Sequence, residues 1–160
     1  MLFSTLSAVL LLSFDIGPSM GALLPVQDEG DPWRTSFVLG VKARYGAGCL
    51  DIESGLQFTE LKIDPDSSRG YTYSMVPLTL GVGKQLGFIR YALGGALYNI
   101  EAKKELAEGL EAVWKGTYGG MYISLGRDFD LGSNVLDLSA RFNIIDFDGL
   151  WIGVTASYLF

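Results

Sequence analysis

Lys42 and Arg44 stand two residues apart just before Gly46-Ala47-Gly48, and Asp51 and Glu53 stand two apart just after it. Residues at that spacing share one face of a strand. Two carboxylates on one face could serve as the acid and the base or nucleophile of a hydrolase. The two cations at matching spacing offer the other reading, an ion-pair set with a structural task, because opposite charges across a hairpin stabilise it. That second reading is favoured. If Tyr45 pairs with Leu50, Arg44 falls opposite Asp51 and Lys42 opposite Glu53. Arg90, Asp137 and Arg141 lie on the non-apolar face of later segments and join the same charge set.

Most other chemistries are closed to this chain. It has no histidine, which excludes Ser-His hydrolysis and the usual zinc sites. Cys49, the one cysteine, cannot form an internal disulfide. It follows Gly46-Ala-Gly48, which lacks the Leu and the preceding apolar run of a lipoprotein box. Gly81-Val-Gly-Lys84 lacks the spacing and the Ser or Thr of a phosphate loop. A net charge of −6 argues against nucleic acid, whose phosphates need a basic surface. No catalytic residue, cofactor or metal site is expected.

The elements that must position the charge set are strands. Phe37, Leu39, Val41, Ala43 and Tyr45 alternate with Ser36, Gly40, Lys42 and Arg44, and the pattern recurs six times, over 50–62, 75–83, 89–100, 118–129, 135–144 and 150–160. Period-two alternation places apolar and polar residues on opposite faces. Pro77 lies within one such run and predicts a bulge or local irregularity there. Residues 101–116, rich in Lys, Glu, Ala and Leu but broken by Gly109, read as a long loop with a helical turn. Apolar residues make up 49% and charged residues 19%, with 21 glycines; that suits strands with one greasy side.

The polar face carries glycine and charges of both signs, whereas the other face is uniformly apolar. That predicts an all-β fold, a closed antiparallel up-and-down barrel with the apolar face turned to lipid and the charges enclosed. The last strand has apolar Leu150, Ile152, Val154, Ala156, Tyr158 and Phe160 at every second position. About ten residues suffice for a tilted strand to cross a bilayer. Tyr45, Phe58, Tyr91, Phe129, Tyr158 and Phe160 are candidates for interfacial aromatic girdles.

In the segments 76–83, 89–98, 136–142 and 150–160 the chain resembles the small bacterial outer-membrane β-barrels of the OmpX, OmpW and OmpA-transmembrane type. The resemblance spans residues 37–160 and is one of pattern. It implies eight strands, residence in the outer membrane of a Gram-negative cell, and short periplasmic turns near 47, 86 and 132. Longer outer loops then fall at 18–35, 64–72, 102–116 and 146–149. It also implies that Ile152, Val154, Ala156, Tyr158 and Phe160 form the C-terminal signal read by the barrel-assembly machinery. Partners are then outer-membrane lipid and that machinery.

Only seven strands are clear after residue 36, and such barrels have an even number. Residues 1–22 carry the apolar run 6–14 followed by Ser19, Gly21 and Ala22, the layout of a signal peptide, although no Lys or Arg precedes Arg34 and Asp15 closes the run. That assignment leaves 23–160 as the barrel domain. Alternatively Leu6–Ile16 is the missing strand, or a weak one lies between Leu23 and Arg34. The expected function is non-enzymatic, in envelope integrity or surface contact through the outer loops. The competing class is a soluble lipocalin-like barrel with an apolar ligand.

Overall fold

The structure is a computed structural model that describes residues 12–26, 32–47, 50–64, 70–106, 110–146 and 149–160. Among the described residues nine strands follow one another: β1 (Leu12–Pro25), β2 (Trp33–Arg34), β3 (Ser36–Ala47), β4 (Leu50–Ile63), β5 (Tyr71–Leu86), β6 (Ile89–Glu105), β7 (Glu111–Leu131), β8 (Asn134–Ile145) and β9 (Gly149–Leu159). All except β2 form the wall. Each pairs antiparallel with its neighbours, β4 also pairs with β5, and β1 pairs with both β3 and β9, so the sheet closes on itself. The described residues contain no helix long and apolar enough to cross a membrane.

The eighth strand is β1. Of the two readings of residues 1–22, its described part is wall, displaced from the expected Leu6–Ile16 to Leu12–Pro25. Residues 12–22 are thus part of the strand that bridges β3 and β9. Residues 1–11, and Cys49, lie outside the described residues. The even-numbered outward set is the one the sequence indicated, with Phe14, Ile16, Met20 and Leu24 exposed. The seam is finished by reciprocal main-chain bonds of 3.2 Å between Ile16 and Phe160.

Following paired residues once around the wall fixes the stagger. Leu23 pairs with Gly153, then in turn come Arg141, Ser124, Ala92, Gly83, Asp51, Gly46 and finally Ser13, ten residues from the start. With a rise of about 3.3 Å per residue and strands about 4.8 Å apart, that stagger tilts the strands by about 41°. The outward set of β9, Leu150 to Phe160, then spans about 25 Å, the height of a lipid-facing band.

The polarity is inverted relative to a soluble barrel. Phe37 is 76% exposed and Leu80 62%, with Leu39, Leu56, Leu97, Ile123 and Val154 in the same belt. Inside, Lys42, Arg44, Glu53, Arg90 and Asp137 are buried. Water penalises so large an apolar surface, whereas hydrocarbon accepts it and penalises exposed charge. A soluble lipocalin-like barrel needs the opposite arrangement, and these residues overturn it. At the short-turn end Arg127 lies on the outside, its guanidinium 4.9 Å from the Phe129 ring and 5.7 Å from Phe88, as suits a cation at an interface.

Three sequence expectations are resolved. First, of the bulge or local irregularity expected at Pro77, it is the irregularity that forms: Pro77 pairs with Tyr98 in an unbroken β5–β6 register, and the β4–β5 ladder has a gap between Leu56–Leu78 and Thr59–Met75. Proline has no N–H to give that side. Second, residues 101–105 and 111–116 are strand, not a loop with a helical turn. Glu101 pairs with Lys115 and Lys103 with Val113, and Lys103 and Lys115 both reach the Glu101 carboxylate at 2.8 Å. Ladder pairing overrides helix propensity here. Third, the outer segment expected at 18–35 begins only after Pro25, and two residues of it return as β2, beside Ile63 and Lys62 of β4.

Candidate functional site

The lumen has two halves. Towards the short-turn end lies a charge network built from the inward faces of β3 to β8. Lys42 reaches Asp137 at 2.9 Å and Glu53 at 3.6 Å. Arg44 donates to Asp128 at 2.6 Å and to Asp137 at 2.7 Å. Arg90 donates to Glu53 at 2.7 Å and also lies 3.5 Å from Asp137 and 3.6 Å from Asp51. Arg141 stands 3.9 Å from Glu53, its guanidinium 4.3 Å from the Tyr122 ring. All seven predicted charge residues therefore meet in one place.

Their pairing differs from the expected one. The hairpin pairs Tyr45 with Ile52, Arg44 with Glu53 and Lys42 with Gly55, a shift of two residues from the register inferred across the turn. Either register keeps the same faces inward, so alternation alone does not select between them. The short contacts run across the barrel, not between neighbours: Lys42 to Asp137 joins β3 to β8, and Arg90 to Glu53 joins β6 to β4.

Asp128 and Tyr122 complete the network and were not in the expected set. Both lie on the polar face of β7, which is the signal that could have found them. Asp128 receives the forked contact from Arg44 at 2.6 and 3.1 Å, and the Tyr122 hydroxyl donates to Glu53 at 3.0 Å. Space for that ring comes from glycine. A Cβ at Gly94 would lie 2.6 Å from Tyr122 Cε1, and one at Gly81 2.2 Å from its hydroxyl oxygen. Tyr122→Phe should lower the unfolding free energy by about 1.5–3 kcal/mol, the range for a hydrogen bond to a charged group. Urea titration of the tryptophan signal in micelles measures it.

Four cations, Lys42, Arg44, Arg90 and Arg141, face four carboxylates, Asp51, Glu53, Asp128 and Asp137. Asp51 and Glu53, the two carboxylates that share a face of β4, are each within ion-pair distance of a cation, so the set balances its own charge. Its chemistry is that of a plug.

Towards the long-loop end the lumen is apolar. Leu23, Val38, Leu61, Met75, Ala96, Tyr98 and Trp151 form a buried cluster, with Trp33, Tyr73, Ile100, Tyr118 and Ile145 packed against it. Tyr98 donates to Asn143 Oδ1 at 3.1 Å, and Asn143 in turn donates to the Trp151 carbonyl at 3.3 Å. The cavity between the two halves measures about 20 Å³, which is room for about one water. The sequence pattern predicted a polar interior throughout; the large inward side chains of the outer half correct that.

Ile152, Val154, Ala156, Tyr158 and Phe160 all lie on the outer face of β9. Val154, Tyr158 and Phe160 are exposed there, and the last two rings lie 6.4 Å apart. Tyr45, Phe58, Tyr91 and Phe129 also face outward.

No family model matches the chain, and no curated protein matches it. Solved structures do. The outer-membrane protein OprG of Pseudomonas aeruginosa superposes with a TM-score of 0.61 at 14% identity, over 92% of this chain and 95% of that one. Neisserial surface protein A gives 0.58 at 13%, over 92% and 97%. Ail, the attachment invasion locus protein of Yersinia pestis, gives 0.51 at 16%, over 93% and 97%, in a complex with the heparin analogue sucrose octasulfate. With its eight closed strands, lipid-compatible exterior and plugged interior, the chain has the fold of the small bacterial outer-membrane β-barrels.

Proposed function

We propose that the protein is a non-enzymatic integral barrel of the bacterial outer membrane that acts through the strands it raises beyond the lipid belt, in surface contact or envelope integrity. The observation that carries this reading is the pairing of an apolar exterior with an ion-paired, filled interior. Such a wall needs hydrocarbon around it and offers no path through it. Activity is thereby left to the outer end. There β5, β6 and β7 continue past the belt, and along Glu111–Tyr118 β7 is paired on its β6 side only among the described residues. The β8 ladder begins at Gly120–Ile145. A strand edge of that kind can accept an extended segment of another protein. The outward residues of β9 are the surface on which the assembly machinery would act.

Alkaline carbonate should leave the protein in the membrane fraction, and detergent should release it. In planar bilayers the purified barrel should give no large, stable single-channel currents. Thr117→Pro, which removes a donor from the β7 extension, should reduce attachment of expressing cells to host surfaces without altering either result. Release by carbonate, or porin-sized currents, would overturn the reading.

A further inference from the structure

The outer end of the lumen opens into a cup of about 350 Å³. Trp33, Tyr73, Trp114, Tyr118 and Trp151 line it, so all three tryptophans of the chain are gathered there. The buried Leu61 and Met75 close its bottom, and Met75 and Ile145 separate it from the small cavity beneath. Trp33 meets Tyr73 at 5.5 Å with their planes 81° apart and Trp151 at 5.8 Å with 62°. Adjoining walls thus stand at steep angles to one another, as in the corner of a box.

Asp146 stands on the rim. Its N–H donates to the Gly119 carbonyl at 2.9 Å, and a φ of +48° turns the chain there. Its carboxylate makes no ion pair among the described residues. The nearby Arg34 is already paired with Asp64.

Aromatic faces attract a cation most effectively when that cation is weakly hydrated, and a rim carboxylate supplies the counter-charge. A metal ion would lose too much hydration against such walls. A neutral apolar molecule would leave the Asp146 carboxylate at the mouth without a counter-charge. We propose that the cup binds a small organic cation of the quaternary-ammonium class, held by the aromatic box with Asp146 as its counter-ion. The site does not depend on what the outer strands contact.

The test uses the full chain in maltoside micelles, free of choline-headed and amine-oxide detergents. Tryptophan fluorescence is followed during titration with choline, with its neutral carbon isostere 3,3-dimethylbutan-1-ol, and with sodium chloride. The expected result is a saturable change with choline, an affinity for the neutral isostere lower by about tenfold, and no response to salt. Asp146→Asn should weaken choline binding by about threefold to tenfold, Trp33→Leu by about tenfold or more, and Trp33→Phe should restore most of it. Heat-dependent gel migration checks that each variant is folded, and the exposed rim variant Asp146→Asn decides the matter if Trp33→Leu is not. Equal affinity for the isostere, choline binding indifferent to Asp146→Asn, or no saturable change would each overturn the proposal.

Discussion

Asp137→Ala should destabilise the barrel by about 3–5 kcal/mol, the cost of leaving a buried positive charge uncompensated. Asp137 is fully buried and lies within ion-pair distance of Lys42, Arg44 and Arg90. Its removal takes a carboxylate from three cations at once and leaves four buried or half-buried cations facing three carboxylates, whereas Asp51, at the edge of the network, is seen among the described residues only by Arg90 at 3.6 Å. The measurement is the urea midpoint of the folded, heat-modifiable form in micelles. The double variant Lys42→Met with Asp137→Ala should recover part of the loss, since it removes the excess positive charge together with the carboxylate that balanced it. A cost near that of Asp51→Ala would mean that the network is not the strut inferred from its geometry.

Leu93→Arg should cost about 2–4 kcal/mol in a lipid-folded preparation, the penalty for a cation near the bilayer midplane. Leu93 is 51% exposed and flanked by Val82 and Ile123 in the ladders on either side. On the surface of a soluble protein the same change would fall within about 0.5 kcal/mol, so this substitution separates the two surroundings directly. A graded series makes the point quantitative: arginine at Leu97 should be costly, and at Asn99, nearer the outer water, nearly neutral. A flat profile along β6 would remove lipid from the outside of the barrel.

The sequence made the fold legible wherever lipid and lumen meet a strand on opposite sides, because that contrast sharpens the two-residue period. β3 and β8 are the clearest cases. It blurs where the contrast is lost. In β1, Asp15, Gly17, Pro18 and Ser19 break the apolar rhythm, and the strand hides inside what looks like an export leader. Above the belt the contrast between the two faces fades, so Glu101–Glu105 and Glu111–Gly116 alternate weakly and their composition suggests helix. The charge set was legible from its face alone. Its partners were not, because contacts across the barrel depend on the ten-residue stagger, which no local pattern encodes. The aromatic outer half stayed unseen for the same reason: Trp33, Tyr73 and Trp151 are 40 or more positions apart and only closure brings them together.

The seam carries one more implication, for the order of events during biogenesis. Ser19 pairs with Ser157, 138 positions away, and bringing so distant a pair together is entropically late compared with zipping the adjacent hairpins. Until β9 is in place the meander has two raw margins, one on β1 and one on β8. Sealing of the first strand to the last, once the whole chain is present, is the late step that this topology demands.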